Sequence, residues 1–488
     1  MSRSEATPVV PGFYPDPSVC RVGDDYYLAH SSFEYAPGVP IWHSRDLLTW
    51  EQIGHALDRP DHIPARAGRP SGGIFAPTLR HHDGRFWMTT TDYHRLYDGQ
   101  LIVSAEDPAG PWSDPVFVHG TVGIDPDLAW DEDGTCHLTW TDSVGIKTAP
   151  VDLAAGQLLG EPSPVWSGTG LAAPEGPHLY RIDGWWYLLI AEGGTERGHT
   201  IAMARSRTLE GPWESAPSNP LLSHRSTSHP VQNTGHGDFV QRPDGTWALL
   251  YLGVRTRGFT PLFHTNGRET FLAGVEWVDG WPVISEDAYD VPPADTSFDD
   301  RFDAVELALR WIAPGRFPST FTMATPQGLR ICPPSDGEGR SQLCTRVRDL
   351  AWEASVELDS ATTHGRFALR MNDSHWYGIE VAGAELRAIA AIGPVQQAVA
   401  TTSRQPGGVC LRISTTPSPM DTPADQQEPD WVELSVLRAD GAVEMLARLP
   451  GRYLSTEVVG GFTGRVLAVE ALDSELTVRR FAYAPIEG

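Results

Sequence analysis

The chain reads as all-β: a five-bladed β-propeller followed by a β-sandwich of jelly-roll type. Three observations predict this. A small-residue turn followed by aromatics recurs five times in the first half, as Gly23-Asp24-Asp25-Tyr26-Tyr27, Asp83-Gly84-Arg85-Phe86-Trp87, Asp133-Gly134-Thr135-Cys136-His137, Asp183-Gly184-Trp185-Trp186-Tyr187 and Asp244-Gly245-Thr246-Trp247-Ala248. These turns start 60, 50, 50 and 61 residues apart, close to the length of a four-stranded sheet with its connections, which is the period of a propeller blade. The 48 Gly, 41 Pro and 17 Trp among 488 residues favour a turn-rich β chain over long helices.

Blade one opens near Val9, where the alternation of Val19, Arg21, Tyr26 and Leu28 suits a half-buried hairpin. Pro15 and Pro17 flank Asp16 and are expected to hold it extended. Further strands are predicted over residues 86–91, 101–104, 137–141, 185–191, 201–206 and 247–252, and the tripeptide Gly-Pro-Trp at 110–112 and 211–213 is a second internal echo. The propeller pattern runs out at Trp281-Pro282-Val283, and an acidic, Pro-containing stretch at 290–297 reads as a linker dividing a domain of residues 1–292 from one of 293–488. Beyond it, short alternating segments at 354–358, 366–371, 376–381, 409–413, 432–437 and 475–480 lack the blade turn and fit a sandwich. Residues 415–429, rich in Pro, Thr, Asp and Gln, are expected to form an exposed loop.

A formal net charge of −26 makes the surface strongly acidic and argues against a nucleic-acid partner. No apolar run approaches the 18 residues of a membrane span, and residues 1–11 lack a basic and apolar leader, so the expectation is a cytoplasmic protein without a membrane partner. Five cysteines (Cys20, Cys136, Cys332, Cys344, Cys410), with no CxxC spacing, read as small buried hydrophobes rather than metal ligands or disulfides. A homo-oligomer is compatible with the composition.

The repeat also says where chemistry would gather. One strand length before each turn stand Asp16, Phe75 (with Ala76), Asp125, Glu175 and His236. The first strand of a blade runs along the propeller axis, so residues at its start converge on one end of a central channel. Carboxylates crowded there repel one another and are shielded from water, which drives their proton affinities apart and equips a site for acid and base chemistry together.

Five motifs in order, Tyr14-Pro15-Asp16-Pro17-Ser18, Gly123-Ile124-Asp125-Pro126-Asp127, Ala173-Pro174-Glu175-Gly176-Pro177-His178, Asn233-Thr234-Gly235-His236-Gly237 and Gly267-Arg268-Glu269-Thr270, resemble the motif set of family 43 glycoside hydrolases, closest to the β-xylosidase branch with a C-terminal β-sandwich. The resemblance covers almost the whole chain. It implies Asp16 as general base, Glu175 as general acid and Asp125 as the residue that orients Glu175 and keeps its proton affinity high. By spacing alone Asp127, two residues on and on the same side of a strand, competes with Asp125; the family pattern favours Asp125. The resemblance further implies Arg268 as a clamp on sugar hydroxyls, against the plainer reading of an ion pair with Glu269, and His236 at the core of the channel beside a calcium ion or water, with no cofactor needed for the chemistry. Phe33 matches the innermost subsite, Phe75 stands where relatives often carry Trp, and Phe462 lies on a loop of the second domain expected to reach back over the pocket. The implied activity is an inverting exo-glycosidase removing terminal β-1,4-linked xylose from xylo-oligosaccharides, with side activity on α-L-arabinofuranosides. The rivals are a dedicated α-L-arabinofuranosidase and a carbohydrate-binding propeller without catalysis.

Overall fold

A computed structural model describes residues 7–64, 69–334, 339–362, 364–418, 422–423 and 426–486. Each recurring turn joins the first two strands of a blade. In the first, Ser18–Val22 pairs with Asp25–Ala29 around Gly23, whose φ of +63° is a conformation that favours glycine. Gly38–Ser44 and Glu51–Leu57 complete that four-stranded antiparallel sheet. The next four sheets repeat the plan, with inner strands Thr78–His82, Ile124–Trp130, Glu175–Ile182 and Val231–Gln241. The fifth inner strand packs beside the first, and the N-terminal segment secures the ring: the Val9 and Val10 amides donate to the Thr270 carbonyl at 2.9 and 3.3 Å.

Alternation along each strand feeds two cores. Leu188 packs with blade three in one cluster, whereas its neighbour Leu189 packs with Phe239 and Leu249 of blade five in another. Five such clusters fill the five gaps between blades, so each sheet is stable only when sandwiched by its neighbours.

The channel is stitched by charge. Arg80 of the second inner strand pairs with Asp127 of the third at 2.8 Å and with Asp238 of the fifth at 2.7 Å. Asp238 also accepts hydrogen bonds from Ser18 Oγ and the Val19 amide (2.9 Å each) and from Tyr180 Oη (2.5 Å). Asp127 accepts from the Leu179 amide at 2.9 Å. All five inner strands thus meet through one guanidinium and two carboxylates. Burial alone would raise Asp238, but Arg80 and its hydrogen-bond donors outweigh this and hold it at about 2.

The last propeller strand is Trp281–Ser285, and the first strand beyond it is Phe298–Asp300. The second region is a two-sheet antiparallel sandwich. One sheet carries Trp352–Leu358, Val409–Thr416, Trp431–Leu437, Val443–Pro450 and Leu476–Pro485; the other carries Ser341–Arg346, Val466–Ala471, His364–Asn372, His375–Ala382, Glu385–Ile392 and Val395–Ser403. Trp311, Trp352, Phe367 and Phe481 lie in the core between them. Three of the five cysteines are buried, but Cys332 and Cys410 are half-buried, and none forms a disulfide. The predicted loop at 415–429 includes residues 419–421 and 424–425, outside the described set. Its ends are not exposed: Thr415 lies within a strand, and Glu428 is buried and pairs with Arg452.

The two regions are in intimate contact. Ala313–Pro314 pairs with Tyr35–Ala36 of blade one, and the Arg465 amide donates to the Thr265 carbonyl at 3.0 Å. Gly464 is required at this seam, because a Cβ there would lie 2.2 Å from the Asn266 carbonyl oxygen.

Replacing Arg80 with Met removes the guanidinium that Asp127 and Asp238 share and leaves two buried carboxylates without it. The expected cost is about 3–5 kcal/mol, read as a lowered urea midpoint of the propeller transition; a loss under about 1 kcal/mol contradicts the stitching role.

Candidate active site

The inner strands of blades three and four carry the same irregularity. Between Ile124 and Asp127, and again between Glu175 and His178, three residues span what two span on the partner strand. Blade five has comparable shifts between Gln232 and Gly237. These β-bulges put Asp125 (φ +56°), Gly176 (φ +56°) and His236 (φ +38°) in left-handed backbone and re-aim the side chains at the channel mouth. Asp16 is left-handed too (φ +56°), not extended as the flanking prolines led us to expect. Such residues persist only where surrounding contacts hold them, and for Asp16 those contacts are visible.

The bulge also separates Asp125 from Asp127. Spacing put them on one strand side; the extra residue turns Asp125 into the pocket and leaves Asp127 in the Arg80 network below.

The pocket is lined by Asp16, Phe33, Phe75, Asp125, Glu175, Thr195, His236, Arg268 and Phe462, among others. It therefore brings together Asp16, Asp125, Glu175, Phe33, Phe75, His236, Arg268 and Phe462, the site residues expected from the sequence, while Asp127 stays outside. Arg268 Nη1 donates to Asp16 Oδ1 at 2.9 Å and to Thr195 Oγ1 at 3.0 Å, and Ser31 Oγ donates to Asp16 Oδ2 at 2.5 Å. The pairing of Arg268 with Glu269 does not occur, since Glu269 is taken by Arg255 at 2.7 Å. Burial raises the Asp16 carboxyl, but Arg268, then His236 and the Ser31 hydroxyl, outweigh it and hold Asp16 below the usual carboxylate value. A group lowered in this way contributes stability above its unfolded pKa, and that contribution is lost as pH falls through the folded value.

Asp125 is the opposite case. Burial, then repulsion from Glu175 and Asp16, push it well above the carboxylate range, and the Gly176 amide at 3.0 Å only partly compensates. Glu175 is also raised by burial, but the neighbouring His199 and then His236 reverse the direction. In the free enzyme the higher proton affinity thus lies on Asp125, whereas the sequence reading placed it on Glu175. The reason is a residue that reading missed. His199 is fully buried, its Nδ1 lies 3.2 Å from the Asn233 carbonyl, and its Nε2 lies 3.3 Å from Glu175 Oε1, although not aligned for a hydrogen bond in this conformation. Gly235 leaves room for the ring, since a Cβ there would fall 2.1 Å from His199 Nδ1. His199 stands outside the turn register. The one signal that pointed to its neighbourhood was Gly193-Gly194 directly after the second strand of blade four, which also leads to the missed Thr195.

Aromatic walls close the pocket. Phe33 stacks on Phe462 at 5.7 Å, and Arg268 sits over both rings. The Phe462 amide donates to Ser71 Oγ at 2.8 Å, so the second region supplies part of the wall. Phe75 is backed by Tyr93, stacked at 4.9 Å with planes 7° apart.

A calcium ion held by side chains at His236 does not fit these residues. His236 Nδ1 is 3.8 Å from Asp16, whose oxygens are already bound by Arg268 and Ser31. The cation position on the axis below is taken by the Arg80 guanidinium. Among the described residues a three-ligand cluster lies elsewhere, at His224, His229 and Glu286.

The sequence profile of glycosyl hydrolases family 43 matches residues 6–282. The chain belongs to this family. It is therefore a glycoside hydrolase, and its pocket is that of a family 43 fold. It is 34% identical to a non-reducing-end α-L-arabinofuranosidase of Bacteroides ovatus over 95% of this chain and 90% of that protein. It is 46% identical to a xylosidase/arabinosidase of Butyrivibrio fibrisolvens over 57% of this chain, an alignment spanning only 56% of that relative's length. A solved xylan β-1,4-xylosidase from Bacillus halodurans superposes with a TM-score of 0.87 at 28% identity, covering 99% of this chain and 100% of that one. The family 43 architecture thus includes the sandwich as well as the propeller.

Arg268→Met removes the charge that keeps Asp16 ionised. The acidic limb of the kcat/KM profile should move to higher pH, because the limb reports ionisation of the free enzyme's base; an unmoved limb separates Asp16 from that role.

Proposed function

We propose that this protein is an inverting exo-glycosidase that releases terminal β-1,4-linked xylose from the non-reducing ends of xylo-oligosaccharides, with side activity on α-L-arabinofuranosides. The observation that carries the reading is the pocket itself: Asp16 of blade one, held ionised by Arg268, and Glu175 of blade four, beside His199, line one space walled by Phe33, Phe75 and Phe462. A pocket closed over by the Phe462 loop of the second region favours attack at chain ends.

In this reading Asp16 is the general base. Held ionised by Arg268, it takes a proton from water as the water attacks the anomeric carbon. Arg268 also offers its planar fork to paired sugar hydroxyls. Glu175 is the general acid and donates its proton to the leaving oxygen. His199 Nδ1 donates to the Asn233 carbonyl, which leaves Nε2 facing Glu175 at 3.3 Å. Sugar entry displaces water from the pocket, which raises the proton affinity of Glu175 and favours its acid form. Asp125, uncharged, accepts the Gly176 amide and orients the strand that carries Glu175.

A second reading has its own support. The Bacteroides relative, similar across nearly the whole chain, is named an α-L-arabinofuranosidase. The ratio of kcat/KM on nitrophenyl β-D-xyloside and nitrophenyl α-L-arabinofuranoside decides between them, with the xyloside expected to be preferred.

Glu175→Ala should lower kcat on xylobiose by about 10²–10⁴ while sparing aryl xylosides whose leaving groups need no proton; equal losses on both contradict the acid role. Proton NMR of the first product should show α-xylose, the inverted anomer, and β-xylose would overturn inversion.

A further inference from the structure

A second cluster lies in blade five, away from the pocket. His224 and His229 sit in the loop that enters the inner strand Val231–Gln241, and Glu286 starts the short turn after Trp281–Ser285. One ligand atom from each residue lies within 4.8 Å of the others. We propose that these three side chains form a binding site for a divalent transition metal of the zinc class, independent of the hydrolytic site.

Each ligand is already oriented from behind. His224 Nδ1 lies 2.9 Å from the Val231 carbonyl, and His229 Nδ1 lies 3.1 Å from the same oxygen and 3.2 Å from the Val231 amide nitrogen. The rings lie against each other, tilted by 36°, with centroids 3.9 Å apart. Glu286 accepts the Tyr251 hydroxyl at 2.7 Å on Oε1, leaving Oε2 turned toward His224. A backbone carbonyl behind each imidazole and a hydroxyl behind the carboxylate are the outer contacts that hold metal ligands in place. The loop is itself braced: the Thr227 hydroxyl donates to the His224 carbonyl at 2.7 Å and the Gln232 side chain to the His229 carbonyl at 2.7 Å.

The contact between His224 and Glu286 identifies the charge the site takes. With its proton on Nδ1, His224 presents a lone pair at Nε2 to a carboxylate oxygen 2.8 Å away. Two acceptors at that distance need a cation between them. A proton on Nε2 satisfies only this pair; a metal ion also uses the nitrogen of His229. Two imidazoles and one carboxylate, with solvent in the remaining position, suit zinc and its neighbours, whereas calcium and magnesium prefer all-oxygen sets. Tetrahedral ligands stand about 3.3 Å apart at zinc distances, within reach of side-chain rotation here. Bound metal would tie the loop before the inner strand to the turn after the outer strand of the same blade.

The test uses the full-length enzyme, stripped with a chelator and titrated with Zn²⁺ by calorimetry and with Co²⁺ by visible absorption. One saturable Zn²⁺ site, tetrahedral Co²⁺ bands and a raised Tm are expected. His229→Gln and Glu286→Gln should each weaken Zn²⁺ binding about tenfold or more, with xyloside hydrolysis retained as the sign of a folded pocket, while His119→Gln, at an exposed position, changes neither. Should a variant fail to fold, the wild-type protein still decides the matter, because Zn²⁺ affinity must fall from pH 7 to pH 5 as the imidazoles protonate. Absence of saturable binding, binding that both variants leave intact, or affinity that does not fall with pH overturns the site and leaves a proton-bridged pair of His224 and Glu286.

Discussion

One buried cation organises this molecule. The Arg80 guanidinium lies where five strands meet and is held by Asp127 and Asp238, which in turn collect donors from blades one and four. Five sheets packed only through apolar gaps have no unique rotation about their axis, since apolar contact is non-directional. Directed, charge-assisted hydrogen bonds supply the missing register. Because the bulges of blades three and four begin one or two residues from this network, fixing Asp127 and His178 also fixes Asp125 and Glu175.

The same arrangement divides the work among carboxylates. Asp238 meets a full positive charge and is held well below the usual carboxylate value. Asp16, at the mouth, has Arg268 and is held ionised. Asp125 has no cation of its own and is driven toward its neutral form. Glu175 has an imidazole whose second nitrogen is committed to a backbone carbonyl. Four environments thus give one residue type different proton affinities within one channel. The aromatic lining, completed by Phe462 from the sandwich, keeps that electrostatics away from bulk water.

Much of this was legible in the sequence because repetition is. The turns at Gly23, Asp83, Asp133, Asp183 and Asp244 set blade length, and one strand length back from each lay Asp16, Asp125, Glu175 and His236. Phe462 was reachable only through its family resemblance, since nothing local ties Gly460-Gly461-Phe462 to a pocket formed by residues hundreds of positions earlier. Backbone detail was not legible: alternation predicts a regular strand, so the bulge that parts Asp125 from Asp127 and the left-handed Asp16 went unseen. His199 and Arg80 escaped for a different reason. Arg80 is followed by two histidines and His199 lies in a polar loop, so neither stands out locally, and the meaning of each comes from partners distant in sequence. The direction of proton affinity within the pair of Asp125 and Glu175 depends on His199, so it was misread for the same cause.

The account rests on Asp16 and Glu175 flanking one sugar from opposite sides. A crystal structure of the inactive Asp16→Asn variant with xylobiose tests this most directly. It should show the non-reducing-end ring enclosed by Phe33, Phe75 and Phe462, with its anomeric carbon between side chains 16 and 175 and those groups roughly 6.5–9.5 Å apart. A disaccharide bound outside the pocket, or a separation of roughly 5–5.5 Å, the spacing of retaining enzymes, would contradict it.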